Sequence, residues 1–253
     1  MWVHTLDPTI VSFGSLEIRY YGLVYVLGFL LGIFWLLYYR RELAMEKDDV
    51  YDLMFYVMLG IVIGSRLFYA LFWNLNYFLS APWKVLFLWE GGMAFHGGLV
   101  GALVAGFWYC HKKNVSFLKV ADILSVPAVL TLALGRIANF INGEIVGRVT
   151  DVSWCVNFGD GLCRHPYQLY SAAKRFVIAG ILFTLLRTQK YTDGFVFWSM
   201  ILLMGTGRFF LDFFREDMLY YSLSIGQWMS LVMALVACSV LLARYRNDLQ
   251  RLF

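Results

Sequence analysis

Apolar residues run along this chain in long blocks, not in the alternating or one-faced patterns of soluble elements. Seven blocks reach the rough 20-residue length of a bilayer crossing: 19–39, 51–73, 94–111, 118–141, 168–187, 193–214 and 226–244. Pro127 falls inside the fourth block and is expected to kink it. Residues 1–17 read as a short amphiphilic lead-in, lacking the basic start and small-residue cleavage site of a signal peptide.

Composition agrees with that pattern. Of 253 residues, 60% are hydrophobic, 19% aromatic and only 15% charged, the profile of a polytopic membrane protein. With four prolines and no Ser/Gly-rich linker, a single integral-membrane domain over 1–253 is expected. The four cysteines form no CxxC pair and lack zinc spacing. Cys110 and Cys238 lie in or beside apolar runs and read as packing residues. Cys155 and Cys163 sit in a polar loop, and spacing alone leaves open whether they pair.

Basic residues orient the spans. One set of loops carries eleven: Arg40, Arg41, Lys47, Lys112, Lys113, Lys119, Arg187, Lys190, Arg244, Arg246 and Arg251. The opposite set carries five: Arg19, Lys84, Arg148, Arg164 and Arg215. The first set is therefore expected in the cytoplasm, with the N-terminus outside and the C-terminus inside. The outer loops 74–93 and 142–167 are the longer ones and carry Trp83, Trp89 and Trp154. The expected fold is all-α, with seven transmembrane helices and a small periplasmic head from the 142–167 loop.

Polar residues inside the spans carry the candidate chemistry. They are Tyr21, Arg66, His96, Arg136, Asn139, Gln168, Lys174, Arg175, Arg208 and Asp212, and the topology puts each in the outer half of its span. Snorkelling anchors would scatter over both boundaries, so their convergence points to a polar chamber opening outward. Arg136, Asn139 and Gly143 recur at i, i+3, i+7, and Asn142-Gly143 offers the left-handed backbone that ends a helix. Glu144, Gly147 and Arg148 follow.

His96 lies among Gly91, Gly92, Gly97, Gly98 and Gly101, which permit close approach of a helix or of a lipid headgroup. It can be a hydrogen-bonded core residue or a proton-transfer group, its unperturbed pKa being about 6.5. Arg208, Asp212 and Arg215 recur at i, i+4, i+7, as an ion ladder or, for Arg208 with Arg136, as a phosphate fork. Arg66 and Tyr69 can line the chamber or hold helices together. His165 stands beside Pro166 at the start of the fifth span, with structure and function both open. No P-loop, HExxH, GxSxG or paired-metal carboxylate cluster occurs, which disfavours nucleotide-driven pumps, metalloproteases and serine hydrolases. A transporter of anionic solutes would need polar groups continuing into the inner halves, and a scaffold would leave the chamber charges unexplained.

Several stretches resemble the prolipoprotein diacylglyceryl transferase family. Gly135 to Arg148 is similar to its long signature, and Phe95-His96-Gly97-Gly98 to its histidine motif. Tyr20-Tyr21-Gly22-Leu23, Arg164-His165-Pro166 with Gln168-Leu169-Tyr170, Gly207-Arg208 through Arg215, and Ser224-Ile225-Gly226-Gln227 resemble further blocks in the same order. Two departures stand out: Tyr167 replaces a small hydroxyl residue, and Asp212 stands where the family commonly has glutamate.

The resemblance implies transfer of the diacylglyceryl group of phosphatidylglycerol to the lipobox cysteine of a prolipoprotein at the bacterial inner membrane. His96, Arg136 and Arg208 would be catalytic. Tyr21, Arg66, Asn139, Asn142, Gly143, Glu144, Gly147, His165, Asp212 and Arg215 would bind or orient substrate. No cofactor, metal or nucleic acid is implied, and a monomer among membrane lipids is expected.

Overall fold

A computed structural model describes residues 2–13, 16–188 and 191–252, so Lys190 of the basic set lies outside the described residues. In chain order, short strands β1 (Trp2–Val3), β2 (Thr9–Phe13) and β3 (Leu16–Arg19) precede helices α1 (Tyr20–Tyr39) and α2 (Lys47–Phe68). A π-helical turn, Tyr69–Trp73, leads into α3 (Leu75–Ser80), two 3-10 turns and α4 (Phe95–Lys112). Then come α5 (Phe117–Ile141), β4 (Val156–Asn157), α6 (Tyr167–Thr188), α7 (Phe195–Leu211), β5 (Leu219–Tyr220), β6 (Leu223–Ser224), α8 (Ile225–Arg244) and α9 (Arg246–Gln250).

The protein is mostly helical, with short two-stranded ribbons that the all-α expectation did not contain. The lead-in is one of them: β2 pairs antiparallel with β3, while β1 pairs in parallel with β4. Pairing to a strand more than 150 residues away satisfies backbone groups that a free lead-in would leave to water.

Among the described residues six helices are long and apolar enough to cross a membrane: Tyr20–Tyr39, Lys47–Trp73, Phe117–Ile141, Tyr167–Thr188, Phe195–Phe214 and Ile225–Arg244. The expected third span, now α4, is not among them. Its 18 residues include Gly97, Gly98, Gly101, Gly106, His96, His111 and Lys112, which dilute its apolar character.

By its internal contacts the chain divides into two compact units, residues 36–120 and residues 1–35 with 121–253. The smaller unit is organised by the packing of α2 on α4. Gly60 and Gly64 meet Gly97 and Gly101 so closely that a Cβ on any of the four would strike the facing backbone. Two small-xxx-small pairs thus let the backbones touch, as packing in lipid requires. At one end of this pair, Lys113 Nζ lies 2.6 Å from Asp49 Oδ1, and Lys119 Nζ donates to the Glu42 carbonyl at 2.7 Å.

In the larger unit, Val126 and Val129 of α5 pack with Ile178, Ala179 and Leu182 of α6 and Val196 of α7. Asp122 reaches from α5 to the start of α7, accepting from the backbone N–H of Gly194 at 2.6 Å and of Phe197 at 2.7 Å. The carboxylate thereby satisfies donors that the first helical turn cannot. Pro127 sits within α5 without ending it, and the Thr131 hydroxyl donates to its carbonyl at 2.8 Å.

The α5–α6 connection folds into a small knot of backbone bridges. Gly147 pairs with Arg215, and Arg164 with both Val149 and Val156. Cys155 and Cys163 are joined by a disulfide across a Cα separation of 5.3 Å, closing the question their spacing left open. Arg164 grips Asp160 and Glu216, and its hydrogen bond holds the Asp160 carboxyl below the usual carboxylate range.

Candidate functional site

The end of α5 starts the site. Arg136 and Asn139 are one turn apart, and the Arg136 Nη1 donates to Asn139 Oδ1 at 3.2 Å. Asn139 Nδ2 donates in turn to Glu144 Oε2 at 3.3 Å, and Asn142 Nδ2 to the other Glu144 oxygen at 3.1 Å. That closure requires the chain to double back, which it does at Gly143, in the left-handed region at φ 68°. The carbonyl of Glu144 then accepts from Gln168 Nε2 at 2.6 Å. A chain of polar contacts therefore runs from Arg136 to the first turn of α6.

Gly147 is explained by crowding. A Cβ there would meet the carbonyl oxygens of His165 and Phe214, since Gly147 N donates to His165 and Arg148 N to Phe214. The signature glycine holds three segments in one seam. His165 lies in that seam, its Nδ1 3.2 Å from the Tyr170 hydroxyl and its ring edge-on to Phe214.

The ion ladder expected at Arg208, Asp212 and Arg215 keeps its Arg208–Asp212 rung and loses Arg215. Helix α7 ends at Leu211, Asp212–Phe214 is a 3-10 turn, and Arg215 is extended. Asp212, buried at 1% exposure, accepts from Arg208 Nε at 3.2 Å and from the Tyr167 hydroxyl at 2.5 Å. Arg215 turns instead to Asp217, 3.3 Å away, and lies over the Tyr167 ring at 6.0 Å. The two departures from the family pattern, Tyr167 and Asp212, are thus direct partners.

Charge gathers around this pair. Arg136 lies within electrostatic range of Arg208, Arg215, Asp212 and Tyr167. Lys174 and Arg175 on α6 join it: each interacts with Arg136, Arg208 and Asp212. Asp212 is the one carboxylate hydrogen-bonded to any of Arg136, Lys174, Arg175 and Arg208 among the described residues. Lys174 Nζ and Arg175 Nε are enclosed without a hydrogen-bond partner there. Excess positive charge on apolar helices is costly unless an anion compensates it. Arg175 and Gln168 were visible in the sequence as polar residues in a span, but only their common face with Ser171 hinted that they act together.

Tyr21 starts α1 with its hydroxyl 2.8 Å from that of Tyr25. In the smaller unit, His96 is exposed at the start of α4, with ring contacts to Phe68 and Phe95. Arg66 is buried, and all five of its N–H donors go to backbone carbonyls: Lys84, Val85, Phe87, Gly91 and Gly92. Of the two roles open to Arg66, the contacts are those of a clasp holding the 82–92 segment on α2. His4, given no role from its sequence, donates from Nε2 to the Phe140 carbonyl, 2.8 Å away at the end of α5.

These features define a multi-pass membrane protein with a cluster of cationic side chains among its apolar helices. Comparison with known proteins narrows that class. The profile of the prolipoprotein diacylglyceryl transferase family matches residues 8–243, and the chain belongs to that family. It is 42% identical over 244 residues to the phosphatidylglycerol–prolipoprotein diacylglyceryl transferase of Geobacter sulfurreducens, covering 93% of this chain and 94% of that protein. The enzyme of the same name from Bordetella parapertussis is 41% identical over 252 residues, 94% of this chain and 95% of its own. That of Aeromonas hydrophila is 36% identical over 257 residues, covering 97% and 93%.

Proposed function

We propose that this protein transfers the diacylglyceryl group of phosphatidylglycerol to the lipobox cysteine of prolipoproteins, the first step of lipoprotein maturation. The observation that carries this is the excess of Arg136, Lys174, Arg175 and Arg208 over Asp212, the one carboxylate hydrogen-bonded to any of them among the described residues. A phosphodiester supplies the missing negative charge, and guanidinium forks match its oxygens.

In the reaction the cysteine thiolate attacks the glyceryl carbon that bears the phosphate. The C–S bond forms as the C–O bond breaks, and the electron pair leaves with the phosphate oxygen of glycerol-1-phosphate. The thiol proton passes to a base. A cysteine thiol of pKa about 8.5 is mostly protonated at neutral pH, so the base matters. His96 takes that role in the proposal. Arg136 and Arg208 hold the phosphate as charge develops. Asn139, Asn142 and Glu144 fix Arg136, Gly143 and Gly147 shape the turn, and Asp212 orients Arg208. Tyr21, His165 and Arg215 are assigned to headgroup binding, and Arg66 contributes through the segment it clasps.

The proposal includes α4 as a seventh span, a periplasmic head from 142–167, and an inner-membrane orientation with N-terminus periplasmic and C-terminus cytoplasmic. The head's disulfide supports the side assigned to it, because such bonds persist in oxidising compartments. Residues 1–253 then act as one transferase domain and as a monomer, without a cofactor.

Lysine at Arg136 or Arg208 keeps the charge and removes the fork. At equal protein levels each variant is expected to lose transfer by roughly tenfold or more; near-normal transfer by both would remove the phosphate role. His96→Asn is expected to lose about 10²- to 10⁴-fold in single-turnover transfer while still binding phosphatidylglycerol. Lost lipid binding would make it a headgroup ligand instead.

A further inference from the structure

Lys174 stands two turns into α6, on the face that begins with Tyr167. Its aliphatic stem passes against Gly207 of α7, where an added Cβ would come within 2.7 Å of the Lys174 Cδ. The glycine leaves room for the stem to run beside the residue next to Arg208. The stem's Nζ is enclosed and bonds to no described residue. The charges around it are Arg136, Arg175 and Arg208, all repelling, and Asp212, whose oxygens already take Tyr167 and Arg208. An ammonium held there needs an anion that the chain itself does not supply.

The reaction supplies that anion in two stages. Phosphatidylglycerol brings a phosphodiester with one negative charge. When the glyceryl C–O bond breaks, its electron pair stays on the phosphate oxygen, and a second charge appears. Arg136 and Arg208 suffice for the first.

We propose that Lys174 ligates the departing phosphate and takes up its second charge, making it a catalytic residue of this chain; this rests on the transferase reading above. A contact that strengthens as charge develops speeds the chemical step more than it tightens substrate binding. Arg175, with one guanidinium nitrogen tied to Ser171 and its Nε free among the described residues, backs Lys174 from the next position.

The test uses the whole protein in detergent, phosphatidylglycerol, a lipobox peptide, and sn-glycerol-1-phosphate as inhibitor. Lys174→Met is expected to lower kcat about 10²- to 10³-fold, with KM for phosphatidylglycerol within about threefold of the parent. Inhibition by glycerol-1-phosphate should weaken about ten- to a hundredfold. Lys174→Arg, which restores the charge, should recover at least about tenfold of the lost kcat. A kcat within about threefold of the parent, or a loss with unchanged glycerol-1-phosphate inhibition, overturns the assignment and leaves Lys174 a packing residue. Where Lys174→Met fails to fold, Lys174→Gln gives the same comparison. If the parent protein forms no thioether, the transferase reading fails instead, and glycerol-1-phosphate binding to parent and variant still decides whether Lys174 is its ligand.

Discussion

Removing the Tyr167 hydroxyl tests the pairing of the two residues that depart from the family pattern. Tyr167→Phe keeps the ring, which is 2% exposed, and deletes only the donor to Asp212. Asp212 keeps Arg208 Nε at 3.2 Å but has one oxygen left without its partner in a buried setting. A hydrogen bond to a charged group contributes about 1.5–3 kcal/mol. At 2–4 °C per kcal/mol for a chain of this size, the thermal midpoint should fall by roughly 3–12 °C. Tryptophan fluorescence during heating in detergent reads this directly. Asp212→Glu pushes a longer carboxylate into the same hydroxyl and should also destabilise. Combining Asp212→Glu with Tyr167→Ser, which makes room for the longer carboxylate and keeps a hydroxyl, should recover part of the loss, with a coupling of about 1 kcal/mol or more. A midpoint within about 1 °C of the parent for Tyr167→Phe, or additivity within about 0.5 kcal/mol in the cycle, would refute the pairing.

Gly101→Leu forces a side chain into the Gly60 backbone, so the α2–α4 packing should fail and the yield of folded protein should drop sharply on size exclusion; an unchanged profile would contradict the glycine contact. A reporter fused after Phe253 should read cytoplasmic and one placed in the 151–154 stretch periplasmic, the reverse pattern inverting the orientation drawn from the basic loops. Replacing Cys155 and Cys163 together with serine should lower the midpoint by an amount that a reducing agent reproduces in the parent protein. An equal response to reductant in parent and variant would separate that shift from the disulfide.

Much of the fold was legible because lipid imposes long apolar runs and helical spacing. The Arg136–Asn139 contact follows from i, i+3 alone, and the end of α5 from Asn142-Gly143. The α4 glycines allowed two partners, a helix or a headgroup, and only the structure shows that Gly97 and Gly101 meet α2. Long-range pairings left no local mark. Nothing near Tyr167 points to Asp212, nothing in Trp2–Val3 points to Val156, and Arg66's carbonyl partners lie on a turn its own helix does not contain. The ladder kept its Arg208–Asp212 rung but lost Arg215 for a related reason: helical spacing does not hold past Leu211, where the backbone leaves the helix.

Incubating the purified protein with phosphatidylglycerol labelled in its acyl chains and a synthetic lipobox peptide reads diacylglyceryl transfer directly. The expected product is a peptide carrying both labelled chains through a thioether at its cysteine, formed with one equivalent of glycerol-1-phosphate and lost when that cysteine is replaced by serine. Unlabelled peptide at full phosphatidylglycerol occupancy, or label attached to the serine peptide equally well, would contradict it.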